Sequence, residues 1–157
     1  SWKSVRQLIA MLVETVSKGG NLLLNVGPTA RGTFDARALS RLDGIGQWMR
    51  LHDRSIYGCT EAPEEFRAPD NCLMTFNPVT RRLYIHVLEW PMGVLHLDGF
   101  AGKVRYAQLL NDGSEVKITE RPDWQSSLEK VSANTVSLQI PVQKPDVEIP
   151  VIELVLS

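Results

Sequence analysis

Lys18-Gly19-Gly20-Asn21-Leu22-Leu23-Leu24-Asn25-Val26-Gly27-Pro28-Thr29-Ala30-Arg31-Gly32 is the stretch that decides how the first third of this 157-residue chain folds. A glycine pair ends a helix, a short apolar run follows, and Gly27-Pro28 turns the chain. Leu22 to Leu24 with Val26 show no alternation of apolar and polar residues, which is the pattern of a strand buried on both faces in a parallel sheet covered by helices. Before it, Val5, Leu8, Ile9, Leu12, Val13 and Val16 recur at helical spacing. Ser4 is placed to cap that helix at its start, and Gly19 or Gly20 to end it in the left-handed conformation. After it, Asp35 is placed to cap a second helix in which Leu39, Leu42, Ile45 and Met49 keep the helical period to about Leu51. Gly44 and Gly46 would each weaken that helix by ~1 kcal/mol, so they predict close packing on the sheet.

Beyond Arg54 the pattern changes. Thr60-Glu61-Ala62-Pro63-Glu64-Glu65 is a polar connector, and after it short β-rich runs alternate with turn residues. Strands are expected near 72–76, 83–90, 94–97, 103–110, 115–120, 135–140 and 151–156, separated by turn chemistry such as Asn77-Pro78, Pro91-Met92-Gly93 and Asn111-Asp112-Gly113. Leu83, Ile85 and Val87 fall on one face, with Tyr84, His86 and Leu88 on the other. Short antiparallel strands at this spacing predict a β-sandwich.

Composition narrows the partners. The net charge is -1, with 43% hydrophobic and 22% charged residues, which argues against nucleic acid or an anionic membrane surface as partner. Residues 1–60 carry 8 basic and 4 acidic side chains and residues 61–157 carry 9 and 14, so the two parts differ in sign. Two cysteines, Cys59 and Cys72, are too few for a disulfide scaffold, and two free thiols are expected. No apolar run approaches the ~20 residues of a membrane helix.

The residues 18–31, the helices on either side (Lys3-Ser4-Val5-Arg6-Gln7-Leu8-Ile9 and Arg41-Leu42-Asp43-Gly44-Ile45-Gly46-Gln47-Trp48), and then Leu83-Tyr84-Ile85-His86-Val87-Leu88-Glu89-Trp90-Pro91 and Lys103-Val104-Arg105 strongly resemble the end of family 29 α-L-fucosidases. The resemblance covers nearly the whole chain and is most specific in the first 60 residues. It implies an α/β fragment, the last helix, strand and helix of a (β/α)8 barrel, over residues 1–59, followed by an all-β antiparallel sandwich over 60–157. It further implies part of a retaining glycoside hydrolase that removes terminal α-L-fucose from glycans, with no cofactor and no metal. Such an enzyme uses two carboxylates ~5 Å apart, and in the family both precede the segment matched by this chain. The expected catalytic set within these residues is therefore empty. The expected partners are the N-terminal catalytic part, upstream or as a separate chain, a fucosylated glycan, and a further copy of the chain in a homo-oligomer; neither compartment nor linkage preference is readable.

Because barrel active sites form at the C-terminal ends of the strands, Asn25 and Trp2 are the candidates for the barrel rim; the bland alternatives are backbone pairing for Asn25 and packing for Trp2. Glu89 and Asp98 flank the Trp90-Pro91 turn without a specified buried site. His52, His86 and His96 have no metal-ligand spacing, and His86 and His96 read as half-exposed sheet histidines. Gly27-Pro28-Thr29-Ala30-Arg31-Gly32 lacks the Gly-Lys-Ser/Thr ending of a phosphate loop. Tyr84, Trp90, Tyr106 and Trp124 would suit a sugar-stacking platform, but packing explains them equally. The alternative function is thus a non-catalytic carbohydrate-binding or structural β-sandwich module.

Overall fold

The computed structural model describes residues 3–20, 36–120 and 134–157. Helix α1 spans Val5–Ser17 and is opened by a reciprocal cap in which Ser4 Oγ accepts from the Gln7 amide while the Gln7 side chain accepts from the Ser4 amide. It ends where Gly19 takes φ +82 and its amide donates to the Val16 carbonyl, the left-handed stop the sequence predicts. The apolar run after it, with Leu22 to Val26, lies outside the described residues. So does Asp35, the expected cap of helix α2, Ala36–His52, which runs into a 3₁₀ turn at Asp53–Ser55.

Among the described residues seven strands follow: β1 Cys72–Asn77, β2 Arg82–Val87, β3 Val94–Asp98, β4 Val104–Leu109, β5 Lys117–Glu120, β6 Thr135–Gln139 and β7 Val151–Leu156. All pairings among them are antiparallel, in one sheet of order β1-β2-β7-β4 and another of order β3-β6-β5. Strand β2 stops at Val87, three residues short of the expected end. The segment expected to be one strand from 115 to 120 changes sheets instead. Glu115 bridges Gln108 of β4, and only from Lys117 does the chain pair with β6.

Period-two patterning sets the inner core. Leu83, Ile85 and Val87 of β2 and Ile152, Leu154 and Leu156 of β7 meet Leu95 and Leu97 of β3 and Val136 and Leu138 of β6 between the sheets. Phe66 and Phe100, rings 4.6 Å apart, close one end. A second core lies on the other face of the four-stranded sheet, where Ile9, Val13 and Val16 of α1 and Trp48 of α2 pack with Tyr84, Ile149 and Val151. The molecule therefore has three layers: helices, a four-stranded sheet, and a three-stranded sheet. Gly44 explains the close approach within the helical layer, since a Cβ there would lie 2.6 Å from Val5 Cγ2. That contact is with α1 rather than with the sheet, and a Cβ at Gly46 would meet nothing within 4 Å, so the expectation of sheet packing fails for both glycines.

Candidate functional site

Trp2 and Asn25, the two rim candidates, and the Gly27 to Gly32 loop lie outside the described residues. The remaining carboxylates can be placed. Glu89 is exposed. Asp98, exposed on β3, accepts a 2.7 Å hydrogen bond from Thr135 Oγ1. Glu65 pairs with Lys103 Nζ at 2.8 Å, and Asp146 and Glu148 sit exposed on the loop before β7. None of these is a buried carboxylate held against a second one, which is the arrangement retaining glycosidases require.

The sequence reading missed the one buried carboxylate among the described residues. Glu153 of β7 is fully buried on the outer face of the four-stranded sheet. Its Oε1 accepts from Gln108 Nε2 at 2.6 Å and from Arg54 Nη2 at 3.3 Å, and its Oε2 lies 3.2 Å from Arg54 Nη2 and 3.6 Å from Arg82 Nη1. Every one of these neighbours is a donor, two of them guanidinium groups. Such surroundings make it a structural counter-ion to the two guanidinium groups, with no second carboxylate beside it among the described residues. The Tyr84 phenol, raised above its usual range by burial and then by the adjacent Glu153 charge, belongs to the same group.

A separate polar cluster lies on the same face of the sheet. Thr75 Oγ1 donates to the Ser55 carbonyl at 2.6 Å and contacts His86 Nε2 at 3.0 Å; Ser55 Oγ donates to the His52 carbonyl at 2.6 Å. His86, expected to be half exposed, is fully buried because the helical layer covers the face on which it stands. His96 does face solvent, with Nδ1 2.9 Å from Ser137 Oγ. No group of three potential metal ligands forms among the described residues. Both thiols are free, and burial pushes Cys59 up to about 11 and, with Asp70, Cys72 up to about 12, so neither is a nucleophile near neutral pH. No helix among the described residues is long and apolar enough to cross a membrane.

The three described aromatics of the four do not form a shared sugar platform. Tyr84 is buried, Trp90 is half-buried and donates Nε1 to the Pro141 carbonyl at 2.9 Å, and Tyr106 alone of the described three is open to solvent; Trp124 lies outside the described residues. A surface depression of about 370 Å³ runs between α1, α2 and the β6–β7 loop and is lined by Gly44, Gln47, Leu51, Lys144, Asp146 and Glu148 among others. It has no aromatic wall on which a sugar ring could stack.

Comparison with known proteins agrees with the resemblance. The family profile described as Alpha-L-fucosidase matches residues 1–54. The chain is 36% identical over 90 residues to the plasma alpha-L-fucosidase of Pongo abelii, covering 56% of this chain and 19% of that protein. In three dimensions it is similar to alpha-L-fucosidase isoenzyme 1 from Paenibacillus thiaminolyticus, with a TM-score of 0.86 at 38% identity over 99% of this chain and 35% of that one. It is also similar to a GH29 alpha-L-fucosidase from Bacteroides thetaiotaomicron, with a TM-score of 0.83 at 26% identity over 100% of this chain and 33% of that one. The chain thus spans about a fifth of the curated relative and about a third of the solved enzymes.

Proposed function

We propose that this chain, which matches the C-terminal portion of family 29 α-L-fucosidases, serves as that portion of such an enzyme. In this reading it contributes the last elements of the barrel over 1–59 and the β-sandwich over 60–157 to retaining hydrolysis of terminal α-L-fucosides. The observation that carries the reading is the match of nearly the entire chain, 99%, to about a third of an α-L-fucosidase at 38% identity. A likeness that runs through both the helical segment and the sandwich favours a fucosidase portion over a free-standing carbohydrate module. The absence of an aromatic platform among the described residues favours it too.

The division of labour is what the resemblance implies: the nucleophile and the acid/base are assigned to the part of the enzyme that this chain does not span. In keeping with this, Glu153 is paired with Arg54 and Arg82. Trp2 and Asn25 are the residues of this chain proposed to reach the sugar, at the barrel rim. The partners are that catalytic part and a fucosylated glycan.

The test is hydrolysis of an aryl α-L-fucoside. The 157-residue chain alone is expected to release no fucose, and addition of the catalytic part is expected to give turnover. Turnover by the chain alone would overturn the assignment.

A further inference from the structure

Two fully buried imidazoles on the outer face of the four-stranded sheet have no part in the sugar chemistry proposed above. His52 is the last residue of α2, and His86 stands on β2 beneath it. Their hydrogen bonds fix their tautomers. His52 Nδ1 lies 2.8 Å from the Trp48 carbonyl, which can only accept, so Nδ1 carries the proton and Nε2 is bare. The Thr75 hydroxyl spends its proton on the Ser55 carbonyl and must accept from His86 at 3.0 Å, so Nε2 of His86 carries the proton and Nδ1 is bare. Neither bare nitrogen has a hydrogen-bond partner. The indole of Trp48 stacks on the His52 ring at 4.7 Å and lies 6.2 Å from the His86 ring, and its Nε1 donates to the Ile149 carbonyl at 2.9 Å. One aromatic stack thus joins α2, the 3₁₀ turn, β1, β2 and the approach to β7.

We propose that the His52–His86 pair is an acid-sensitive latch, which holds α2 and the 3₁₀ turn on the sheet when both rings are neutral and releases them when either ring takes a second proton. A second proton on either ring would make a new N–H donor with no acceptor in a buried site, beside another imidazole. The charged groups on the surrounding elements offer no relief. Glu153 on β7 is already matched by Arg54 of the 3₁₀ turn and Arg82 of β2, the Cys59 thiol is neutral, and Arg6 of α1 is engaged with the Leu88 carbonyl at 2.6 Å. Asp53, half-buried at the head of the 3₁₀ turn, is the one further carboxylate next to the pair in the chain. Consistent with this, burial and then His52 hold His86 down to about 3, and burial holds His52 below its usual value.

The direction of the pH effect follows. Above the ordinary histidine range both rings are neutral whether the interface is closed or open, and the latch holds at full strength. As pH falls through about 6.5 the open form takes up protons that the closed form refuses, and closure weakens continuously toward about 3. Between pH 7.5 and 5.5 this amounts to about a tenfold rise in the opening constant from His86, and His52 adds to it in the same direction.

Hydrogen exchange of the full chain, corrected for the intrinsic pH dependence of exchange, tests the latch. The expected result is a rise of more than about tenfold in the opening constant of α2 and the 3₁₀ turn from pH 7.5 to 5.5, with a smaller change in β3 and β6. No change in α2, or equal loss in α2 and β6, would overturn it. His86→Gln is expected to cut the pH response of α2 to less than about tenfold, the part left to His52, and an unchanged response in that variant counts against the pair. Imidazole NMR of the unsubstituted chain decides the matter even where the variant does not fold. The His86 ring is expected to keep its neutral signals at pH 5.5 in the closed form and the His52 ring to charge only below its ordinary range, and a ring that charges at its ordinary pH while α2 stays protected would refute the latch.

Discussion

The two faces of strand β2 solve the same problem in opposite ways. Its inner face, Leu83, Ile85 and Val87, is closed by the second sheet with hydrocarbon alone; its outer face, Tyr84 and His86, is closed as completely by helices, but over hydroxyls, imidazoles and an ion pair. Burial is therefore a poor guide to chemistry here. The inner core depends on shape and tolerates no cavity, whereas the outer one depends on hydrogen bonds and ion pairs among named partners, with the two bare imidazole nitrogens left unpaired.

The sharpest way to break that comparison is to truncate one side chain on each face. Leu154→Ala removes a fully buried inner residue and is expected to cost about 3–4 kcal/mol in urea unfolding, from lost transfer energy plus the cavity left behind. Glu153→Ala, next to it in the chain but on the outer face, is expected to cost about 2 kcal/mol: Gln108 loses its acceptor, but Arg54 and Arg82 are exposed enough, at 53% and 38%, to turn to water. If Glu153→Ala costs more than Leu154→Ala, the outer face is held chiefly by its ion pairs and the comparison is reversed.

Two glycines one turn fraction apart in α2 sharpen it further. Gly44→Ala drives a methyl to 2.6 Å from Val5 Cγ2 and is expected to destabilise by about 1 kcal/mol, with overpacking outweighing the gain in helix propensity. Gly46→Ala meets nothing within 4 Å and is expected to stabilise by about 0.5–1 kcal/mol. Thermal denaturation of the two variants checks the signs, and equal effects would show that the α1–α2 contact yields easily.

What the sequence made legible was periodicity. Val5 to Val16 and the alternation of Leu83, Ile85 and Val87 placed α1 and β2 without help, and Ser4 and Gly19 marked the ends of α1. Strand ends were harder, because Glu115 and Lys117 pair with different sheets and no local pattern announces a change of partner. The outer polar cluster was not legible at all. Glu153 and His86 occupy positions that alternation assigns to solvent, and only the docking of α1 and α2, which are distant in sequence, buries them. The one local hint was a single acidic residue set among Val151, Ile152 and Leu154, and a surface strand would show the same.

The central claim is that the reacting carboxylates of the enzyme do not belong to this chain. Trapping the covalent intermediate with a 2-fluoro-fucosyl fluoride tests it most directly, using the chain joined to its catalytic part and mapping the adduct by peptide mass spectrometry. The account predicts one fluorofucosyl adduct, on a carboxylate outside residues 1–157. An adduct on Glu153, Asp98 or any other carboxylate of this chain would contradict it.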